Sequence, residues 1–244
     1  MDPSRPETFG ARIVQKREEA PGVITLRLQA VDGRQFNFRA GQFAMLCFKD
    51  EPDPKLRCRA YSVTSSPNSK DCIELTIKVV KEWTARMTSM PVGSEVELKF
   101  PFGKFCLGEN EDEEVALIAG GVGVTPFTGM LRWLSEDNSK RKVHLFYSSH
   151  FESGLVFRRQ LEEIAARWPG LDLVLSVSGD SKENPDWKGR WGRLTPELIK
   201  ETLGVGTAKT KFYLCGPNAM IQTMTAALDS MGVPRENVHL ENFG

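Results

Sequence analysis

Arg59, Tyr61 and Ser62 lie within four consecutive residues and combine a cationic fork, an aromatic ring and a hydroxyl group. Arg59 could hold a pyrophosphate through two parallel hydrogen bonds. Tyr61 could lie against a planar ring, and Ser62 could form a hydrogen bond with a ring nitrogen. The spacing suits a ligand with a phosphate end and a flat end, although the same residues also fit an ordinary half-exposed strand.

A glycine-rich turn follows the apolar run 115–119 and leads into a predicted helix. Its candidate binding residues are Gly120, Gly121, Gly123, Thr125 and Pro126. The backbone N–H groups of such a turn, together with the positive end of the helix dipole, form a cradle for phosphate. The dinucleotide pattern G-x-G-x-x-G is only partly present, because Pro126 stands where the third glycine belongs.

Two later segments end predicted strands with residues that could contact a ligand. In the first, Cys215 is followed by the tight turn Gly216-Pro217. Ligands of open parallel sheets lie beyond the carboxyl ends of the strands, so we expect Cys215 at the same edge as Gly120–Gly123. The second segment contains Glu241 and Phe243. Taken alone, the first segment also fits a small buried residue before a turn, which is common, and the second is interpreted as structural.

The first half of the chain has a strand-like pattern. Apolar and polar residues alternate in the segments 24–29, 73–79 and 95–100. This period of two is typical of antiparallel strands with one buried face. Turn signals such as Pro21-Gly22 and Asp32-Gly33 separate the segments. Several short strands with turns between them predict a small barrel or sandwich.

The second half has a different pattern, which begins after the acidic stretch 109–114. Unbroken apolar runs lie at 115–119, 143–147, 171–177, 212–215 and 238–240, and helical patterns lie at 157–168, 195–203 and 220–231. Such runs are typical of a parallel sheet that is covered on both faces by helices. We therefore expect two domains, at 1–109 and 110–244.

Charge and composition argue against several classes of protein. The chain has 32 basic and 32 acidic residues, so a broad surface for nucleic acid is not expected. With no membrane span and no secretory signal, we expect a soluble, cytoplasmic protein. The five cysteines are odd in number and form no close pair, which argues against a disulfide framework. Neither they nor the three scattered histidines are spaced like a metal or iron–sulfur site.

The motifs, in this order, resemble those of the ferredoxin–NADP reductase superfamily. Arg59-x-Tyr61-Ser62 matches the flavin motif of the family, Gly120–Pro126 its nicotinamide-nucleotide motif, and Cys215-Gly216-Pro217 its third signature. The segment Pro101–Phe105 matches the piece that closes the flavin barrel. The resemblance extends from about Phe9 to Gly244. It implies an antiparallel six-stranded flavin-binding β-barrel at 1–109, followed by a five-stranded parallel-sheet NAD(P)-binding domain at 110–244.

The resemblance also implies roles for residues of the first domain. Arg59 would bind the FAD pyrophosphate, Tyr61 would pack on the isoalloxazine, and Ser62 would form a hydrogen bond near flavin N5. The other flavin-binding candidates are Ala60, Ile77, Lys78, Val79 and Thr84. Lys81 occupies a position that is often glycine in the family, and this departure bears on the loop geometry and on the choice between FAD and FMN.

In the second domain, the resemblance implies that Thr125 and Cys215 lie beside the nicotinamide. Glu241 and Phe243 would close the other face of the flavin. The remaining nucleotide-binding candidates are Gly120, Gly121, Gly123, Pro126, Gly216 and Pro217. Ser62, Cys215 and Glu241 are the candidate catalytic residues, in the sense that they would position and tune the cofactors rather than exchange protons.

The implied activity is hydride transfer from NADH or NADPH to FAD, with delivery of the electrons to a separate acceptor such as a ferredoxin or the iron–sulfur component of an oxygenase. Members that bind the 2′-phosphate often have Ser-Arg after the third strand of the second domain, whereas this chain has Ser178-Gly179-Asp180, without the arginine. The acidic residue favours NADH, whereas Lys182 and Arg190 would favour NADPH. Two alternatives remain open. One is a reductase of free flavin or another small acceptor, and the other is a nucleotide-binding structural or regulatory subunit.

Overall fold

The computed structural model describes residues 5–110, 113–179 and 187–242. It divides into two compact units. Unit 1 contains the residues up to Leu107 together with Thr128–Trp133, and unit 2 contains Gly108–Phe127 and the residues from Leu134 onwards. Each unit has a six-stranded sheet of its own.

Unit 1 is built on antiparallel strands. They are β1 (Glu7–Ala20), β2 (Val23–Ala30), β3 (Phe43–Cys47), β4 (Cys58–Ser62), β5 (Ile73–Lys78) and β6 (Glu95–Phe102), in the spatial order β4-β3-β6-β1-β2-β5. A bridge between Val63 and Leu75 joins the chain just beyond β4 to β5. The two edges of the sheet therefore meet, and the predicted six-stranded barrel is confirmed.

The alternating residues of β2 and β5 explain the interior of this barrel. Leu26 and Leu28 are fully buried, whereas Arg27 and Gln29 between and beyond them are exposed. β5 departs from the predicted alternation, because Glu74 and Thr76 are buried as well. Each has a polar partner: Arg132 for Glu74, and the hydroxyl of Thr25 at 2.8 Å for Thr76.

Two short helices of unit 1 have no counterpart in the predicted pattern. They are α1 (Pro54–Arg57) and α2 (Glu82–Ser89). α1 begins with a proline, and the side chain of Asp53 caps it by accepting a hydrogen bond from the amide of Lys55. α2 has an apolar side that buries Trp83 and Met87. Its brief length leaves a weak periodic signal in the sequence.

The prediction that the cysteines form no disulfide is wrong for one pair. Cys47 at the end of β3 and Cys58 at the start of β4 form a disulfide. The antiparallel register places these two residues directly opposite each other. Their separation of 11 residues in sequence does not reveal this proximity, because it depends on how the chain between them turns back. Cys72, Cys106 and Cys215 form no disulfide.

Unit 2 is a parallel α/β structure. Its strands are β7 (Val115–Gly120), β8 (Val143–Ser149), β9 (Leu171–Val177), β10 (Arg190–Trp191), β11 (Lys211–Gly216) and β12 (Val238–Asn242), in the order β10-β9-β8-β7-β11-β12. The prediction of a parallel sheet is confirmed, but the sheet has six strands rather than five. β10 was missed because its two residues are exposed and form no apolar run.

Four helices follow strands of unit 2. They are α3 (Thr125–Glu136), α4 (Arg158–Arg167), α5 (Pro196–Leu203) and α6 (Asn218–Ser230). The predicted start of α5 is confirmed, since Thr195 caps the helix by accepting a hydrogen bond from the amide of Leu198 and Pro196 is its first residue. The apolar faces of α5 and α6 pack with β7 and β11 in one core cluster.

Candidate functional site

Arg59 lies on the exposed side of β4 and is held by two backbone oxygens. Its Nη1 donates to the carbonyl oxygens of Lys55 at 2.8 Å and Cys58 at 2.7 Å. A guanidinium carries five N–H groups, so a fork anchored in this way still has donors for a phosphate. Its central carbon lies 5.6 Å from the centre of the Trp83 ring. The strand thus presents an oriented cation at the surface of unit 1.

Tyr61, two residues further along β4, packs against the same tryptophan. The centres of the Tyr61 and Trp83 rings are 5.9 Å apart, and the ring planes are inclined by 23°. Burial raises the pKa of the Tyr61 phenol to about 12, although the charge of Arg59 opposes the shift. The phenol is therefore neutral at physiological pH. Ser62 is buried, whereas Ala60 is exposed.

The start of α2 carries Thr84. Its hydroxyl accepts hydrogen bonds from the amides of Val80 and Lys81, both at 3.0 Å, and donates to the carbonyl oxygen of Lys81 at 2.7 Å. The hydroxyl thus closes the turn that enters the helix. Val80, within this turn, is 65% exposed. The turn into α2 is therefore ordered by the Thr84 hydroxyl, even though Lys81 replaces the glycine that is often found at this position.

The candidates at the end of β5 and directly after it differ in exposure. Ile77 is buried and paired with Ile24 in the sheet, whereas Lys78 and Val79 are exposed. The amide of Val79 donates to the carbonyl oxygen of Gly22 at 2.8 Å. A backbone contact from Val79 to a ligand would therefore use its carbonyl group.

In unit 2, the glycine-rich turn lies against the end of β11. Gly121 has a φ of +55°, which favours glycine. A Cβ atom on Gly123 would lie only 2.2 Å from the carbonyl oxygen of Cys215. The turn and the third signature are therefore in direct backbone contact. The proximity that was predicted for Cys215 and the glycine-rich turn is present in the structure.

The second contact between these segments involves their other small residues. A Cβ on Gly120 would lie 2.7 Å from Cδ of Pro217, and one on Gly216 would lie 3.0 Å from the amide nitrogen of Gly120. Gly216 and Pro217 therefore pack onto the end of β7. The nucleotide-binding candidates at the ends of β7 and β11 can pack this closely only because Gly120, Gly123 and Gly216 have no side chains where the two segments meet.

Thr125 opens α3 directly after the turn. Its hydroxyl donates to the carbonyl oxygen of Val122 at 2.9 Å, which fixes the side chain within the turn. Pro126 follows it inside the first turn of the helix, where a missing N–H leaves no hydrogen bond unmade. Both are buried. The amides at this helix start and the helix dipole together favour an anion.

Cys215 and Glu241 are paired across β11 and β12. Cys215 is fully buried, and burial, followed by the nearby charge of Glu241, raises the pKa of its thiol well above the ordinary value. The sulfur is therefore a neutral thiol at physiological pH and not a thiolate nucleophile. Phe243 lies outside the described residues, as do Asp180 and Lys182.

Both sets of residues fit the groups that the motifs imply. Unit 1 offers an anchored guanidinium and a neutral, half-buried aromatic ring next to each other on β4. Unit 2 offers a helix start and a turn in which an added Cβ would fill the space. Among residues 5–110, 113–179 and 187–242, no group of His, Cys, Asp and Glu is arranged to hold a metal ion. No helix in these ranges is long and apolar enough to cross a bilayer.

Trp83 carries no motif of its own in the sequence, yet it contacts both Arg59 and Tyr61. Its place directly before Thr84 is the signal that could have found it. The structure thus brings Arg59 and Tyr61 together around one aromatic side chain in unit 1, and Thr84 follows that side chain directly in sequence. It separately brings Gly120–Gly123 and Cys215 together in unit 2.

Family comparisons identify the class of protein. The oxidoreductase FAD-binding domain family matches residues 11–106, and the oxidoreductase NAD-binding domain family matches residues 117–226. The chain belongs to the ferredoxin–NADP reductase superfamily. It is an FAD-dependent NAD(P)H oxidoreductase of the ferredoxin reductase type, which argues against a purely structural subunit.

The relatives include proteins of similar and of greater length. Ferredoxin–NADP reductase B of Sorangium cellulosum is 29% identical over 97% of this chain and 98% of its own length. The glycine betaine monooxygenase reductase subunit of Chromohalobacter salexigens is 29% identical over 96% of this chain, but the match covers only 63% of that protein. The activity and partners of such longer relatives therefore describe those proteins and are not assigned to this chain.

Solved structures share the fold. The Amycolatopsis cytochrome P450 reductase has a TM-score of 0.83 at 23% identity, and the match covers 98% of this chain and 71% of that one. A ferredoxin NADP+ reductase from Neisseria gonorrhoeae has a TM-score of 0.79 at 22% identity, with 98% and 99% of the two chains covered.

Proposed function

We propose that this reductase passes electrons from NAD(P)H through FAD to a separate acceptor protein, which is a ferredoxin or the iron–sulfur component of an oxygenase. The observation that carries the proposal is the pair of binding surfaces: an oriented Arg59 beside Tyr61 on β4, and a glycine-rich turn whose Gly123 packs on the backbone of Cys215. The names of the relatives, a ferredoxin reductase and a monooxygenase reductase subunit, support the choice of acceptor.

When bound, the dihydronicotinamide supplies two electrons as hydride, and the flavin can take them up and release them one at a time. In unit 1, Arg59 binds the pyrophosphate of FAD, and the neutral Tyr61 packs on its ring. Ser62 donates a hydrogen bond to the ring. Ala60, Ile77, Lys78, Val79 and Thr84 complete the flavin contacts.

In unit 2, the backbone of the glycine-rich turn binds the phosphates of the nucleotide. Thr125 and Cys215 lie beside the nicotinamide, and Glu241 and Phe243 contact the flavin. A neutral thiol at position 215 adds bulk and a weak hydrogen-bond donor without adding charge. Cys215 therefore orients the ring and takes no proton. The other nucleotide-binding residues are Gly120, Gly121, Gly123, Pro126, Gly216 and Pro217.

Two finer features belong to the same proposal. NADH is the preferred donor, because the sequence Ser178-Gly179-Asp180 offers an acidic residue in place of a cation for a 2′-phosphate. The flavin-binding and nucleotide-binding domains comprise residues 1–109 and 110–244.

The test is a spectrum followed by anaerobic reduction. The purified chain should be yellow, without broad iron–sulfur absorption, and NADH should bleach the flavin faster than NADPH. The reduced protein should then transfer electrons to a ferredoxin much faster than to free FMN. Equal rates with free flavin would favour the small-acceptor alternative, and an unbleached flavin with either nucleotide would contradict the proposed reductase activity.

A further inference from the structure

We infer that Trp83 is the positioning residue for flavin binding, which holds Arg59 and Tyr61 in the orientation that FAD requires. This inference rests on the proposed roles of Arg59 and Tyr61. It adds a residue that no motif assigns.

The indole of Trp83 is itself fixed in position. Trp83 is the second residue of α2 and is only 8% exposed. Its Nε1 donates to the carbonyl oxygen of Leu56 at 2.6 Å. A buried tryptophan needs such a partner for its N–H, and the bond fixes the rotation of the ring. The indole is therefore locked before any ligand arrives.

The second observation is that α1 serves both Trp83 and Arg59. The carbonyl oxygen of Leu56 accepts from Trp83, and the preceding carbonyl oxygen, of Lys55, accepts from Arg59. Two consecutive backbone groups thus hold the indole and the guanidinium in register. The guanidinium carbon lies 5.6 Å from the ring centre, within the range of a cation–π contact.

The third observation concerns Tyr61. Its ring is nearly parallel to the indole, at an inclination of 23° and a centroid distance of 5.9 Å. If the plane of a tyrosine ring is not fixed before a planar ligand binds, ordering the ring on binding weakens the affinity. Trp83 is the neighbour whose ring plane sets that of Tyr61. One side chain therefore orients both the phosphate-binding and the ring-binding candidate.

Phe48 provides a contrast within the same cluster. Its ring centre lies 5.1 Å from that of Trp83 but is tilted by 59°, and the guanidinium over it belongs to Arg86 at 3.9 Å. Phe48 thus packs against the indole, and its cation–π partner is Arg86 rather than Arg59. Replacing Phe48 should cost stability while leaving the Trp83 contacts with Arg59 and Tyr61 in place.

The experiment measures FAD binding to the flavin-free protein for Trp83→Leu, Trp83→Phe and Phe48→Leu. Flavin fluorescence gives the dissociation constant, and visible circular dichroism of the bound flavin reports the ring environment. We expect Trp83→Leu to weaken FAD binding about tenfold, or about 1.4 kcal/mol, and to change the dichroism. Trp83→Phe should weaken it about threefold, because a smaller aromatic face remains. Phe48→Leu should stay within about twofold of the unaltered protein.

A second comparison separates positioning from general destabilisation. If Trp83 acts through Arg59, the effect of Trp83→Phe on FAD affinity should shrink in an Arg59→Met background. Additive effects there, with unchanged dichroism, would overturn the inference. So would equal losses of affinity in Trp83→Leu and Phe48→Leu at equal loss of stability. If Trp83→Leu does not fold, Trp83→Phe decides. An unaltered protein that binds no FAD would refute the proposed function instead.

Discussion

The two phosphate-binding candidates of this chain differ in kind, because one is a side chain and the other is a stretch of backbone. In unit 1 the candidate is the side chain of Arg59, held by carbonyl groups of α1 and by the ring of Trp83. In unit 2 it is the backbone around Gly121 and Gly123, packed against the end of β11. A side chain can be shortened or exchanged with a graded loss of affinity. A backbone turn in contact with another strand has no such tolerance.

The same contrast applies to the charges. Arg59 brings a full positive charge to the surface of unit 1. The turn of unit 2 relies on amide dipoles and on the start of α3, and its neighbour Cys215 is kept neutral by burial. Affinity for FAD should therefore depend on side-chain identity, whereas reaction with the nicotinamide nucleotide should depend on backbone geometry.

The largest effect is expected for Gly123→Ala. The new Cβ would lie 2.2 Å from the carbonyl oxygen of Cys215, so the turn or β11 must shift. We expect kcat/KM for NADH to fall at least about 100-fold while FAD remains bound, since a shift of about 1 Å costs this much in well-aligned sites. Stopped-flow bleaching with NADH measures it. Gly121→Ala is the matched control: nothing lies within 4 Å of its Cβ, and only its φ of +55° opposes the change. A similar loss in both variants would break the comparison.

The next effect is expected for Arg59→Ala. Loss of a charge-assisted contact with phosphate should weaken FAD binding about 50-fold, or about 2.3 kcal/mol. Arg59→Lys should retain part of this affinity, because it keeps the charge but loses the fork. Fluorescence titration of the flavin-free protein measures both. Arg12→Ala removes another exposed arginine, paired with Glu95, and should bind FAD normally. If it lost as much affinity, net charge rather than Arg59 would be responsible.

How far the sequence predicts the structure also differs between the two regions. The closed barrel was implied by the family resemblance. The antiparallel strands of unit 1, the parallel sheet, the helix α5 and the contact of the glycine-rich turn with Cys215 follow from periodicity and strand-end rules. These signals are local, or depend on which ends of parallel strands share an edge. β10 was missed because two exposed residues form a strand only when β9 offers its free edge.

The flavin-motif region contains most of what the sequence could not predict. The disulfide depends on the register of β3 and β4. The burial of Glu74 depends on its ion pair with Arg132, a residue 58 positions further along the chain. Trp83 acquires its contacts only when α1 and α2 are placed beside β4. Each of these features depends on contacts between segments that are distant in sequence, and the pattern of each segment alone does not reveal the contact. The assigned roles of the site residues remain predictions.

A smaller effect is expected for the disulfide that joins β3 and β4. Replacing both Cys47 and Cys58 by serine should lower the free energy of unfolding by about 2 kcal/mol, because the short loop is no longer closed in the unfolded chain. Chemical denaturation of the flavin-free protein measures this loss. A thiol reductant should produce a similar loss in the unaltered protein and none in the double variant. Because Arg59 follows Cys58 directly, FAD should stabilise the double variant less. An unchanged midpoint would show that the pairing contributes nothing to unit 1.

The smallest effect concerns Glu74, the buried carboxylate of unit 1. Burial raises its pKa, but the charges of Arg132 and then Arg17 and Arg27 outweigh this, so its pKa lies below the ordinary value. A carboxylate with a lowered pKa in the folded state stabilises the fold at pH values above its unfolded pKa of about 4.3. That contribution is lost as the pH falls through the folded-state pKa.

Glu74→Gln keeps the shape and hydrogen-bonding capacity of the side chain but removes its charge. We expect it to cost about 1 kcal/mol at pH 7, the difference between a charged and a neutral hydrogen-bond partner. The gap between the two proteins should begin to narrow below about pH 4.3, where the carboxyl of the unfolded chain takes up a proton, and should close as the pH falls through the lowered folded-state pKa. Denaturation midpoints at pH 7, 5 and 3.5 measure this gap. A gap that stayed constant across this range would mean that the arginines bind residue 74 through its shape alone, and that side-chain charge in unit 1 matters at Arg59 but not at Glu74.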